Sequence, residues 1–196
     1  MSSRNYKFFE SGSYNLNIIG IRNSETEHKV TNKFDDLITV SYKDDKGDWQ
    51  YHEFPCTTDP GTHWVENVLN EDGVAILVPG QYSRSHKIRK HKGKYEALGQ
   101  QNPVSVYRDN NRDDIYQMNT ESIDTGLFGI NIHRATSKVG KTSTQVDKWS
   151  AGCQVIASND DFKLFMKICK KARDIWSNNF TYTLLNSKEI PTSWLS

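Results

Sequence analysis

Residues 36–54 read DLITVSYKDDKGDWQYHEF. A β-branched run, DLITVSY, meets an alternating segment, GDWQYHEF, across the turn signal DDKGD, so the stretch predicts a hairpin of two strands. Upstream, SYNLNIIGIR alternates around Leu16, Ile18, Ile19 and Ile21 and continues the β-pattern. Downstream, TTDPGTHW supplies Pro-Gly punctuation, and GVAILVPGQY reads as a short buried strand ending at Pro79-Gly80. NPVSVYRD, GLFGINIHR and FTYTLLN read as further strands, with NNRDDIYQMN as a polar loop. SRSHKIRKHKGKYEALG, the most basic stretch, with Lys87, Arg89, Lys90, Lys92 and Lys94, reads as a loop on a solvated face. One segment breaks the pattern. SNDDFKLFMKICKKARDIW predicts a helix with Ser158 or Asn159 as N-cap, acidic residues in its first turn, and an apolar face of Phe162, Phe165, Ile168, Cys169 and Ile175.

This order predicts a mainly β fold, a sandwich or barrel, with one strong α-helix in the C-terminal half. The 196 residues fit a single domain, 1–196, with 1–55 as an N-terminal β extension or hairpin packed on a core at 56–186. Mean hydropathy is low, at −0.74. Nine Tyr, eight Phe and five Trp offset this, because each aromatic buries a large apolar area, and most are expected in the core. Lys plus Arg number 25 and Asp plus Glu 24, a balance that gives no electrostatic case for nucleic acid. No apolar run is long enough for a membrane helix, and the opening MSSRNYKFFE lacks a secretory signal, so synthesis in the cytoplasm is expected. Three cysteines, Cys56, Cys153 and Cys169, with no CxxC, argue against a disulfide framework or a thiolate zinc site. Cys169 reads as core; Cys56 is ambiguous and would lie near any cleft.

The chemistry concentrates in GINIHRATSKVGKTSTQVDKWSAGCQV, residues 129–155. Here His133 ends a strand and Cys153 follows the small residues Ser150, Ala151 and Gly152. Small neighbours let backbone N–H groups approach a substrate oxygen, and a nearby imidazole can take the proton of a thiol nucleophile. Taken alone, a free cysteine is more often a small buried hydrophobe.

The pieces I-H-R and S-A-G-C-Q-V resemble the catalytic motif of the L,D-transpeptidase (YkuD-type) family. TTDPGTHWV is similar to an upstream family segment, and the likeness runs in order over about residues 55–186. It implies a sandwich-like or barrel-like domain whose cysteine attacks a carbonyl of a peptidoglycan stem peptide. Carried over, Cys153 is the nucleophile and His133 the base within hydrogen-bond reach. Ser150, Ala151 and Gly152 form the turn and oxyanion region. Trp149, Arg134 and the basic residues Lys87, Arg89 and Lys90 are candidates for substrate binding. Set beside such a site, the basic stretch from Arg84 to Lys94 is a candidate contact for anionic glycan or stem-peptide carboxylates. No cofactor is expected. The sequence departs from the motif at Ala151 and Arg134, where the family has His and Gly, and at Val155, where it has Arg. The loss of these groups favours water over an amine as acceptor, hence a stem-peptide hydrolase. With no signal, a phage-encoded wall-degrading enzyme is expected, acting on lysis or from a virion beside other virion proteins. Two alternatives stay open. One is a degenerate domain serving as a binding or virion structural module. The other is a zinc D,D-peptidase built from His63, His86, His91, His133 and Asp147, although no HExxH occurs.

Overall fold

The computed structural model describes residues 5–69 and 71–190. The expected hairpin forms from β2 (Asp36–Lys43) and β3 (Trp49–Thr57), and β1 (Asn17–Arg22) pairs antiparallel with β2. After a short helix α1 (Thr62–Glu66) come β4 (Val74–Leu77), β5 (Gly80–His91), β6 (Tyr95–Gln100), β7 (Val104–Asp109) and β8 (Ile123–Gly126). The chain finishes with β9 (Ile132–Arg134), β10 (Gln154–Ile156), the helix α2 (Asn159–Ile175) and β11 (Phe180–Asn186). Eight strands close a barrel in the order β1-β11-β5-β6-β9-β10-β3-β2, and β4-β7-β8 make a second sheet. The expectation of a mainly β chain with one long helix in its C-terminal half therefore holds. None of the described helices is long and apolar enough to cross a membrane.

Residue 55, the boundary drawn from the sequence, falls inside β3, and the strands before it are staves of the barrel: β1 pairs in parallel with the C-terminal β11, and β3 pairs with β10. The basic stretch is no loop. It is the β5–β6 hairpin, in which His91 pairs with Tyr95 across Lys92, Gly93 and Lys94; Lys92 and Gly93 are both at positive φ (48° and 72°), and Lys94 N donates to the His91 carbonyl (3.0 Å). Its period-two pattern is obscured by charge, because His86 and Ile88 face the core while Lys87, Arg89 and His91 alternate outward.

β4 is buried along its whole length because both of its faces are covered. Ala75 and Leu77 join the main core, whereas Val74 and Ile76 pack with Val65 of α1 and with Tyr116. The Ser158 hydroxyl caps α2 by accepting from Asp161 N (3.2 Å), with Asp160 and Asp161 at the positive end of the helix dipole. Phe162, Phe165, Met166, Ile168, Cys169 and Ala172 insert into the barrel core, and Phe165 meets Phe54 edge-on at 5.8 Å. Ile175, expected on that face, is 43 % exposed because it sits past the last buried turn. Cys56 is wholly buried, not at a cleft. Trp49, Trp149 and Trp176 are half-exposed, against the expectation of core aromatics.

His86 is fully buried. Its Nε2–H donates to the Ile130 carbonyl (2.8 Å), which fixes the tautomer, and its Nδ1 lies 2.8 Å from the Ser85 hydroxyl, which also reaches the Tyr82 carbonyl (2.9 Å). Burial pushes its pKa down to about 4. The unfolded chain takes up this proton below the ordinary histidine range of about 6.5, so stability is lost as pH falls through that window. Urea unfolding near pH 7 and near pH 4.5 should show a fall that His86→Gln lessens by up to roughly 3 kcal/mol. An unchanged pH dependence in His86→Gln would remove His86 as its source.

Candidate active site

β9 and β10 run side by side in parallel, with Gln154 level with Ile132 and Val155 level with His133. The Gln154 N–H donates to the Asn131 carbonyl at 2.9 Å, so Cys153 falls beside Asn131. Alternation then turns Cys153, Asn131 and His133 to the same face, while Gln154 and Ile132 enter the barrel. That outer face borders an open cavity of about 620 Å³ whose wall includes Cys153, His133, Asn131, Trp149 and Ala151. The nucleophile and base expected from the sequence thus share one cavity wall.

The turn before Cys153 is locked by its own residues. The buried Ser150 hydroxyl donates to the Cys153 carbonyl (2.8 Å) and accepts from Gly152 N (3.1 Å). Gly152 has φ +128°, and a Cβ there would collide with the Ala75 carbonyl of β4. The 59–61 segment holds the same turn from the other side, since Gly61 N donates to Ser150 O (2.9 Å). Asn32 clamps the long loop between β9 and β10: its Nδ2 donates to Asp147 Oδ1 (2.7 Å) and its Oδ1 accepts from Asp147 N (2.8 Å). Beneath, Gln154 Nε2 donates to Thr58 O (3.3 Å), and Asp36 accepts from Thr58 N (2.6 Å) and the Thr58 hydroxyl (2.9 Å). Burial and the neighbouring Asp59 push the Asp36 carboxyl up to about 7.

His133 is nearly buried, and its ring stacks on His91 with centroids 4.4 Å apart. Its Nδ1 lies 2.9 Å from the Arg134 carbonyl. A carbonyl only accepts, so Nδ1 carries the proton and Nε2 the lone pair. Burial, followed by the adjoining His91, pushes the His133 pKa down to about 3. The Cys153 thiol donates to the Gly129 carbonyl at 3.2 Å, and no hydrogen bond joins it to His133 among the described residues. The residue as a whole is partly exposed, yet burial of its sulfur raises the thiol above its usual range, while the Asn131 N–H groups and Lys92 pull it back down. At rest the pair is uncharged.

The other candidates divide. Arg134 lies over the Tyr95 ring (4.3 Å) and donates to Asn159 Oδ1 (2.8 Å), so it braces α2 and does not line the cavity. Trp149 and Ala151 line it; Arg89 and Lys90 line a smaller recess beside it, and Lys87 lines neither. Of the residues in the zinc reading, His91 and His133 stack on each other, but no group of three or more His, Cys, Asp or Glu side chains converges as a metal site among the described residues. Sequence reasoning missed Asn131 and Asn32. Asn131 stood two positions before His133, the spacing that shares a strand face; Asn32 left no signal, because Asp147, which it clamps, lies 115 residues away. Comparisons with protein-family models, with curated proteins and with solved structures find no match.

Proposed function

We propose that this chain is a cysteine-dependent acyl hydrolase of the L,D-transpeptidase type, acting on peptidoglycan stem peptides as a phage wall-degrading enzyme. The observation that carries the thiol chemistry is that Cys153, which leads into β10, and His133, on the adjacent parallel β9, face one open cavity. The substrate class rests on the motif resemblance. As substrate enters, the sulfur turns from the Gly129 carbonyl toward His133 Nε2 and passes its proton there as the S–C bond forms. The imidazolium returns that proton to the leaving amine, and water, deprotonated by the same Nε2, cleaves the thioester. Gly152 N–H is engaged by Ser150, so the Ala151 and Cys153 N–H groups are the candidates for holding the oxyanion.

Purified peptidoglycan incubated with the protein should yield shortened or uncrosslinked stems by mass spectrometry, with no new crosslinks. Accumulation of crosslinked dimers from free muropeptides would return the protein to transpeptidation. The bond between the thiol and the Gly129 carbonyl favours a second reading, an inert binding module, under which the wall is bound and left intact.

Because His133 keeps its lone pair down to about pH 3, the hydrolysis rate should carry no acidic limb from this base between about pH 5 and 7. Alkylation of Cys153 by iodoacetamide should rise only above the ordinary thiol range of about 8.5. A thiolate titrating near pH 6 would contradict the uncharged resting pair.

A further inference from the structure

The strand order β5-β6-β9-β10 sets the basic hairpin beside the thiol. On the outer face of β6 stand Ala97 and Gly99, both small. Across this low floor two side chains of β5 reach toward β9. His91 reaches His133, as described above. Arg89 lies over Gly99, where a Cβ would collide with its Nε. The result is a recess of about 220 Å³ walled by Arg89, Lys92 and Asn131, with Lys90 at its lip. Lys92 and Asn131 also line the thiol cavity, so the two spaces are continuous.

Arg89, Lys90 and Lys92 form no ion pair among the described residues. Glu96, the acidic residue of this hairpin, is held instead by Lys170 at 2.6 Å. A guanidinium brought close over a glycine, with an ammonium and an amide beside it, matches a planar, doubly accepting anion. The recess lies over β6 and β9, one to two strand spacings from Cys153, which is about 5–10 Å. An extended residue spans about 3.3–3.6 Å.

We infer that this recess is the subsite for a peptide carboxylate within about three residues of the scissile carbonyl, so that of the two products expected above, shortened stems cut at free peptide ends predominate over uncrosslinked ones. The inference rests on the thiol reading above for the position of the scissile carbonyl. It singles out Arg89 and Lys92 and leaves Lys87 and Arg134 aside.

The test uses Cys153→Ala protein, a synthetic stem tetrapeptide with a free C-terminal carboxylate, and the same peptide ending in an amide, titrated by calorimetry. The acid should bind at least about tenfold more tightly than the amide. Adding Arg89→Gln and Lys92→Gln should lower the affinity of the acid to that of the amide and leave the amide unchanged. Equal affinities, binding of neither peptide, or a preference that survives the double substitution would each overturn the subsite. Its failure is separable from failure of the thiol reading. Equally fast hydrolysis of amide and acid by the unsubstituted protein would remove the subsite and keep the chemistry.

Discussion

Cys153→Ala is expected to lose at least about 10⁴-fold in stem-peptide hydrolysis while unfolding at the same urea concentration as the parent. The side chain borders open space, so its removal leaves no sealed void, and the turn around it is held by Ser150 and Gly152 rather than by the sulfur. The contrasting substitution is Cys169→Ala. Cys169 is wholly enclosed in the packed face of α2, so it should cost about 1–3 kcal/mol and spare the chemistry. Activity that follows Cys169 instead, or survives in Cys153→Ala, would break the assignment of the nucleophile.

Gly152→Ala should be nearly as damaging by a different route. The residue sits at φ +128°, a region that L side chains rarely adopt, and its missing Cβ is the space occupied by the Ala75 carbonyl. That oxygen belongs to β4, which pairs with β7 and is buried on both faces, so it has nowhere to retreat. The left-handed backbone and the collision together should cost about 3 kcal/mol or more, a large share of a typical domain's stability. Hydrolysis should fall as well, because the turn that aims Cys153 must open. Urea unfolding and peptide hydrolysis measured on one sample would check both. Parent-like values would mean that the turn is not clamped against β4.

Much of the architecture was legible where local pattern and final burial agree. The β2–β3 hairpin, the buried strand β4 and the capped helix α2 all carry their periodicity in plain form. The basic hairpin β5–β6 did not, because outward Lys and Arg residues drown the inward signal of His86 and Ile88. Barrel closure was also hidden. It joins β1 to β11 from opposite ends of the chain, and nothing in either strand names its partner. The site shows the same division. Cys153, His133 and the small turn stood out as residue types at suggestive spacing. Asn131 became visible only once β9 and β10 were in register. Arg89 and Lys92 were legible as part of the basic stretch; that two small residues on β6 let Arg89 reach across toward the thiol cavity was not. Arg134, picked out by its place after His133, alternates to the other side of β9 and serves α2 instead.

The central claim is a covalent acyl intermediate on Cys153. The direct measurement is intact-protein mass spectrometry after brief incubation with a stem peptide and acid quenching. The expected result is a mass increase equal to the acyl portion of the peptide, mapped to the 150–153 turn and absent from Cys153→Ala. An unmodified Cys153 in protein that is actively releasing product, or an adduct on another residue, would contradict it.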